Sequence, residues 1–235
     1  MLSTQGNVQF KALSPLQEKD KICMTLNYAL IHNYWQKHDN SENYRGYNIG
    51  AILLSPKDEI ACVGLNTVNQ DSDTTRHAEM NVIQSFFKSH PQACGQLEGY
   101  TIYTSLEPCT MCTGAIFQSN VSRVVYGLND NEYGGVVKRL VSKNNGKYWF
   151  YKTKHDTLKI QKANDNISKR IRQIFQITYT EAPSLVDWLE TDYVRNLYAK
   201  AANILLNYKL KFPENKQILE SALKILQSYG VYGKK

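Results

Sequence analysis

The apolar positions along the chain change their period several times, and each change marks an element. Ser14-Pro15-Leu16-Gln17 reads as a helix start. Ser14 can cap, Pro15 suits the first helical position, and Gln17 can close a capping box. Leu16, Cys23, Leu26, Leu30 and Tyr34 follow at helical spacing. His38 to Arg45 is polar and predicts a loop. Ile49 to Leu54 and Ile60 to Gly64 are short apolar runs suited to buried strands, and Ser55-Pro-Lys-Asp-Glu between them supplies the turn of a hairpin. Asn66 to Thr75 is polar again. A second helix is expected from Thr75 or Arg76, with Ala78, Val82, Ile83 and Phe86 on one face and a stop at His90-Pro91. Tyr100 to Ser105 is a strand by its β-branched and aromatic content. A helix from about Cys109 to Gln118 and a strand from Val121 to Gly127 complete the series.

This order is helix, hairpin, helix, strand, helix, strand. Helical crossovers between the late strands demand parallel pairing, so the fold class is α/β, a three-layer α/β/α sandwich. The last third differs. Pro183 and Ser184 open a pattern with Leu185, Trp188, Leu189, Ile204, Leu205 and Tyr208 at helical spacing. A final helix is expected from about Glu214 to Tyr229, stopped by Gly230. The expected division is therefore a domain over residues 1–150 and a mainly helical C-terminal extension over 151–235, of unknown role.

Composition narrows the class. Apolar residues make up 42% of the 235 and charged residues 21%, the mix of a globular chain rather than a disordered one. No apolar run approaches the roughly 20 residues that a bilayer span requires. The first residues lack the basic and apolar regions of a secretory signal, so a cytoplasmic location is expected, with no membrane partner. Five cysteines, an odd number, argue against a disulfide framework. Net charge is +7, and it is segregated. Between Lys138 and Arg172 eleven basic residues face only Asp156 and Asp165. Such a segment suits a polyanion, or is simply a solvated face. Tyr148-Trp149-Phe150-Tyr151 inside it suits strand or interface packing, and stacking on bases is the alternative.

The candidate chemistry sits at the starts of the two central helices. One has His77-Ala78-Glu79 and the other Glu107-Pro108-Cys109-Thr110-Met111-Cys112. His77, Cys109 and Cys112 supply three zinc ligands and leave the fourth tetrahedral position to water, the count of a catalytic site. Zinc would lower the pKa of that water, making hydroxide available near neutral pH. Glu79, two residues after His77, is close enough to move the proton without joining the metal. A different set competes: His90 and Cys94 with Cys109 and Cys112 would make a closed structural site. That set leaves Glu79 and Pro108 without a role.

From about Ile49 to Gly135 the chain resembles the cytidine-deaminase-like superfamily. Within it, the resemblance is to the branch of tRNA adenosine, guanine and free-cytosine deaminases. The matching residues are Asn66, then His77-Ala-Glu, then Thr101-Ile-Tyr-Thr-Ser-Leu-Glu-Pro-Cys-Thr-Met-Cys-Thr-Gly-Ala-Ile, then Arg123-Val-Val-Tyr-Gly. H-x-E with P-C-x-x-C is the signature of zinc nucleobase deaminases. The resemblance implies one zinc ion per chain on His77, Cys109 and Cys112, with Glu79 as proton shuttle. It also implies that Asn66, eleven residues before His77, hydrogen-bonds the substrate base, and that the chain forms a homodimer.

The branch is divided. Gly127-Leu-Asn-Asp-Asn-Glu-Tyr-Gly is similar to tRNA adenosine deaminases, Cys-Thr-Met-Cys-Thr-Gly-Ala-Ile to free-cytosine deaminases, and Asn66-Thr-Val with Asp73-Thr-Thr-Arg-His to guanine deaminases. Arg76, where alanine is common in the tRNA enzymes, is a departure. Three functions are therefore in play: deamination of a base within tRNA bound through the Lys138–Arg172 segment, deamination of a free base or nucleoside, and a non-catalytic zinc module that binds partners.

Overall fold

A five-stranded mixed sheet organises the chain. The computed structural model describes residues 13–38, 43–136, 143–144, 147–148 and 158–230. The sheet contains β1 (Gly50–Leu54), β2 (Ile60–Leu65), β3 (Thr101–Leu106), β4 (Arg123–Leu128) and, last in the chain, β7 (Lys159–Lys162), in the order β2-β1-β3-β4-β7. The expected hairpin is there, with Gly50 opposite Leu65 and Ala51 opposite Gly64. β1 also pairs antiparallel with β3, and β3, β4 and β7 run parallel. Lys143–Asn144 (β5) and Lys147–Tyr148 (β6) form a separate two-stranded ladder.

The helices divide between the two faces by the strand alternation. A Cβ on Gly50 would collide with Asn27 and Ile31 of α1 (Pro15–Asn33). A Cβ on Gly64 would meet Val82 and Ala78 of α2 (Ala78–Ser89). Gly64 is paired with Ala51, and Ala51 points opposite to Gly50. The two helices therefore lie on opposite faces, and α3 (Thr110–Gln118) packs beside α2. This is the expected three-layer α/β/α arrangement.

α1 starts as its sequence predicts. Ser14 Oγ accepts from Gln17 N at 3.2 Å, and Gln17 Oε1 accepts from Ser14 N at 2.9 Å. Its burial departs from the predicted stripe. Residues 22–31 are all buried, whereas Leu16 and Tyr34 are exposed. The reason is a fourth layer. The C-terminal third folds into α4 (Asn166–Thr178), α5 (Leu185–Trp188), α6 (Asp192–Tyr198), α7 (Ala201–Leu206) and α8 (Lys216–Ser228). α6, α7 and α8 cover the face of α1 that the sheet does not. A helix enclosed on both sides needs apolar residues all round. Tyr28 stacks on Tyr198 at 4.6 Å, and its hydroxyl lies 2.6 Å from Ser168 Oγ of α4.

The anchor of this layer is Glu18, fully buried on α1. Its carboxylate accepts from Lys211 N at 2.8 Å, Phe212 N at 3.1 Å and Asn215 Nδ2 at 3.0 Å. Glu18→Ala would strip three donors of their acceptor at once. We expect about 3 kcal/mol of lost stability, read from the midpoint of urea unfolding at constant slope.

Two elements depart from the sequence reading. β7 lies where no strand is expected and α4 at a place not singled out within the mainly helical extension, and they extend the sheet and its cover past residue 150. Much of the basic segment, with Trp149, Phe150 and Tyr151, lies outside the described residues. Within the described part, Lys159, Lys162, Lys169 and Arg170 are exposed. Arg172 is spent inside the fold, donating to Gly127 O at 2.5 Å and Ala163 O at 2.8 Å. Among the described residues no helix is long and apolar enough to cross a membrane.

Candidate active site

Two helix starts bring the motif residues together. His77 is the N-cap of α2 and Cys109 that of α3, both with extended backbone, and neither side chain makes a capping hydrogen bond. Both are thus free to face each other. The expected earlier start of α2 fails because residues 73–76 are tied into a turn. Arg76 N donates to Asp73 O at 3.1 Å, Thr75 N donates to Asp73 Oδ1 at 2.8 Å, and Arg76 O accepts from Thr67 N.

His77, Cys109 and Cys112 place one ligand atom each within 4.8 Å of the others. His77 Nδ1 lies 3.6 Å from each sulfur. Cys112 is fully buried, while His77 and Cys109 are half-buried. A hydrogen bond from the Cys112 thiol, helped by His77, pulls the Cys109 thiol down to about 4. The same bond and burial push Cys112 up. The hydrogen bond to Cys109 also raises the His77 imidazole. Three donors whose protons a cation would displace thus converge on one point. Two sulfurs and one imidazole nitrogen suit zinc and leave one of its four positions open.

The competing ligand set is not assembled. Among the described residues the metal-capable cluster contains neither His90 nor Cys94. His90 stacks on Phe86 at 4.3 Å, with Nδ1 3.1 Å from Phe86 O, at the end of α2 away from His77. Cys94 is exposed in the turn that follows.

Glu79, in the first turn of α2, is 3% exposed and sits against the cluster. Its Oε1 accepts from Thr104 Oγ1 at 3.0 Å, and its Oε2 lies 3.5 Å from Cys112 Sγ. Burial pushes its carboxyl above the ordinary carboxylate range. Asn66, fully buried just after β2, accepts at Oδ1 from Tyr47 N at 3.2 Å and Val68 N at 3.3 Å. Those two donors fix the amide, and Nδ2 has no partner. Gly46 makes the approach possible, since a Cβ there would fall 2.4 Å from Asn66 Oδ1. Asn66, His77, Glu79 and Cys109 share the lining of a cavity of about 480 Å³. A buried donor without a partner costs stability unless something binds it.

Other residues of the site escaped the sequence reading. Glu107, next to Pro108, accepts from Asn129 Nδ2, Asp130 N and Gly135 N at 3.1–3.3 Å, and so folds the 129–135 loop over the cluster. That loop brings Asp130, Glu132 and Tyr133 to the cavity. Ser184, Leu185 and Val186, at the start of α5, form another part of its lining. The acidic character of the loop was visible in the sequence, but its fold was not.

The three-layer sheet and the three-donor cluster at two helix starts lie within one stretch of the chain that is similar to known deaminases. Residues 24–128 match the family described as the cytidine and deoxycytidylate deaminase zinc-binding region. A tRNA-specific adenosine deaminase of Haemophilus influenzae is 35% identical over 101 residues, 43% of this chain and 57% of that protein. A probable cytosine deaminase of Schizosaccharomyces pombe is 38% identical over 81 residues, 34% of this chain and 47% of that protein. The match thus spans about half the length of these relatives. A solved structure from studies of A-to-I editing by tRNA:A34 deaminases superposes with a TM-score of 0.40 at 28% identity, covering 49% of this chain and 78% of that one.

Proposed function

We infer that the chain is a zinc-dependent hydrolytic deaminase that exchanges the exocyclic amine of a nucleobase for oxygen. The observation that carries this reading is Glu79, a buried carboxylate beside three converging metal donors and facing a cavity. A structural site would have no use for it. His77, Cys109 and Cys112 would hold the ion. When bound, zinc lowers the pKa of a water, so that hydroxide is available near neutral pH.

Everything else falls to the chain's own side chains. Asn66 Nδ2 donates to an acceptor on the base and fixes its orientation. Glu79 takes one proton from the attacking water and delivers it to the ring nitrogen beside the reacting carbon; it then takes the proton of the newly attached hydroxyl and passes it to the departing amine. Water is consumed, a C–N bond breaks, a C=O bond forms and ammonia leaves. Thr104 keeps Glu79 in one orientation throughout.

The test is a panel assay on the zinc-loaded chain. Ammonia release would be followed with cytosine, guanine, adenine, their nucleosides and nucleotides, alongside inosine formation in tRNA. We expect turnover of at least one substrate and about one zinc ion per chain. Purified protein without zinc, or with zinc and no turnover of any substrate, overturns the reading.

A further inference from the structure

We propose that the cavity accepts a free base or nucleoside without phosphate, and that the 184–186 segment is the wall that shuts out a base held in a polynucleotide. The inference builds on the deaminase reading and narrows its substrate.

The wall comes from the part of the chain beyond the family match. Ser184, Leu185 and Val186 line the cavity together with Asn66, Glu79 and Cys109. The segment is fastened at both ends. On the cavity side, Glu132 Oε1 accepts from Leu185 N at 3.0 Å and from Tyr179 OH at 2.8 Å. Behind it, Trp188 is fully buried, donates from Nε1 to Thr178 Oγ1 at 2.9 Å and meets Phe175 edge-on at 4.9 Å. At its far end, Glu190 accepts from Tyr44 OH at 2.5 Å and from His38 N at 2.7 Å. A segment pinned to the 130–133 turn, to α4, and to His38 and Tyr44 does not swing aside at small cost. A base still attached to RNA would have to bring its flanking backbone past it.

Charge points the same way. Among the described residues the cavity lining contains Glu79, Glu107, Asp130 and Glu132, and no lysine or arginine. Proteins that take polynucleotides or nucleotides meet the phosphates with basic groups. Here a phosphate would face carboxylates instead, and the exposed basic side chains of β7 and α4 are not part of the lining. A neutral, amine-bearing base suits acceptor-rich walls, and Asn66 Nδ2 supplies a donor for its carbonyl or ring nitrogen. The volume of about 480 Å³ falls in the range of small-molecule sites.

Binding to the zinc-loaded full chain tests this by calorimetry. The probes are cytosine, guanine and adenine, their nucleosides, the 5′-monophosphates and a tRNA anticodon stem-loop. We expect at least one base or nucleoside to bind, its 5′-monophosphate to bind at least about tenfold more weakly, and the stem-loop not to compete. Val186→Trp, which fills the wall side of the cavity, should weaken that binding at least about tenfold. Its unfolding midpoint reports whether it is folded. Val186→Ala, which removes wall contacts without adding bulk, should weaken binding about fivefold and serves if the tryptophan variant unfolds. Competition by the stem-loop, equal affinity for the monophosphate, binding untouched by both Val186 variants, or no base binding at all overturns the inference. Binding without ammonia release sinks the deaminase reading and supports this one. Ammonia release from the stem-loop does the reverse.

Discussion

Glu79→Gln is expected to lower kcat at least about 10³-fold on whichever substrate the panel identifies, with zinc content unchanged. The substitution is chosen for what it keeps. Glutamine has the same shape, its Oε1 can still accept from Thr104 Oγ1, and its Nε2 can donate toward the Cys112 sulfur that lies 3.5 Å from Oε2. The packing of a side chain only 3% exposed is therefore preserved. What is lost is the capacity to take up and release a proton. Hydrolytic deamination needs that capacity twice, once at the water and once at the leaving amine, so no single bypass restores it. Substrate affinity should change little, because the base is oriented from Asn66 on the β2 side. Steady-state kinetics with parallel metal analysis make the check. A variant within tenfold of the parent, or one that has lost zinc, removes Glu79 from the role of shuttle.

The same residues show what a sequence makes legible. His77, Glu79, Cys109 and Cys112 could be read because their chemistry is written in local spacing, and each pair occupies one helix start. The sheet could be read because β1, β3 and β4 are buried runs bounded by turn residues. β7 could not: Lys-Ile-Gln-Lys has no apolar run, since a parallel edge strand needs only half its side chains covered and tolerates lysine. α4 was hidden differently. Ile167, Ile171 and Phe175 lie at helical spacing behind Asp165, whose side chain caps Ser168 N, but Lys169, Arg170 and Arg172 between them dilute the apolar period. Nor could the wall at 184–186 be foreseen. It depends on Glu132 meeting Leu185 across 53 residues of chain, and pairing at that range leaves no local trace. Even α1 was half-read, because a helix covered on two sides does not advertise its buried face.

His77→Ala and His90→Ala separate the two ways of assembling the ion's ligands, and they should differ by orders of magnitude. Cys109 and Cys112 share one helix start, so on their own they tether the metal to α3 alone. His77 is the donor contributed by α2, and through it the ion would lock the two helices together. Its loss should weaken zinc binding by more than the roughly 10–100-fold typical of second-shell changes, read by competition with a chromophoric chelator. Activity should fall with it. The thermal midpoint should drop toward that of chelator-treated parent protein, because an ion bound only by the native state stabilises it in proportion to its affinity. His90→Ala removes a ring stacked on Phe86 at the opposite end of α2. It should keep zinc, activity and most of the stability. If the His90 variant loses the metal and the His77 variant keeps it, the cavity beside Glu79 has no catalytic ion, and the deaminase assignment falls with it.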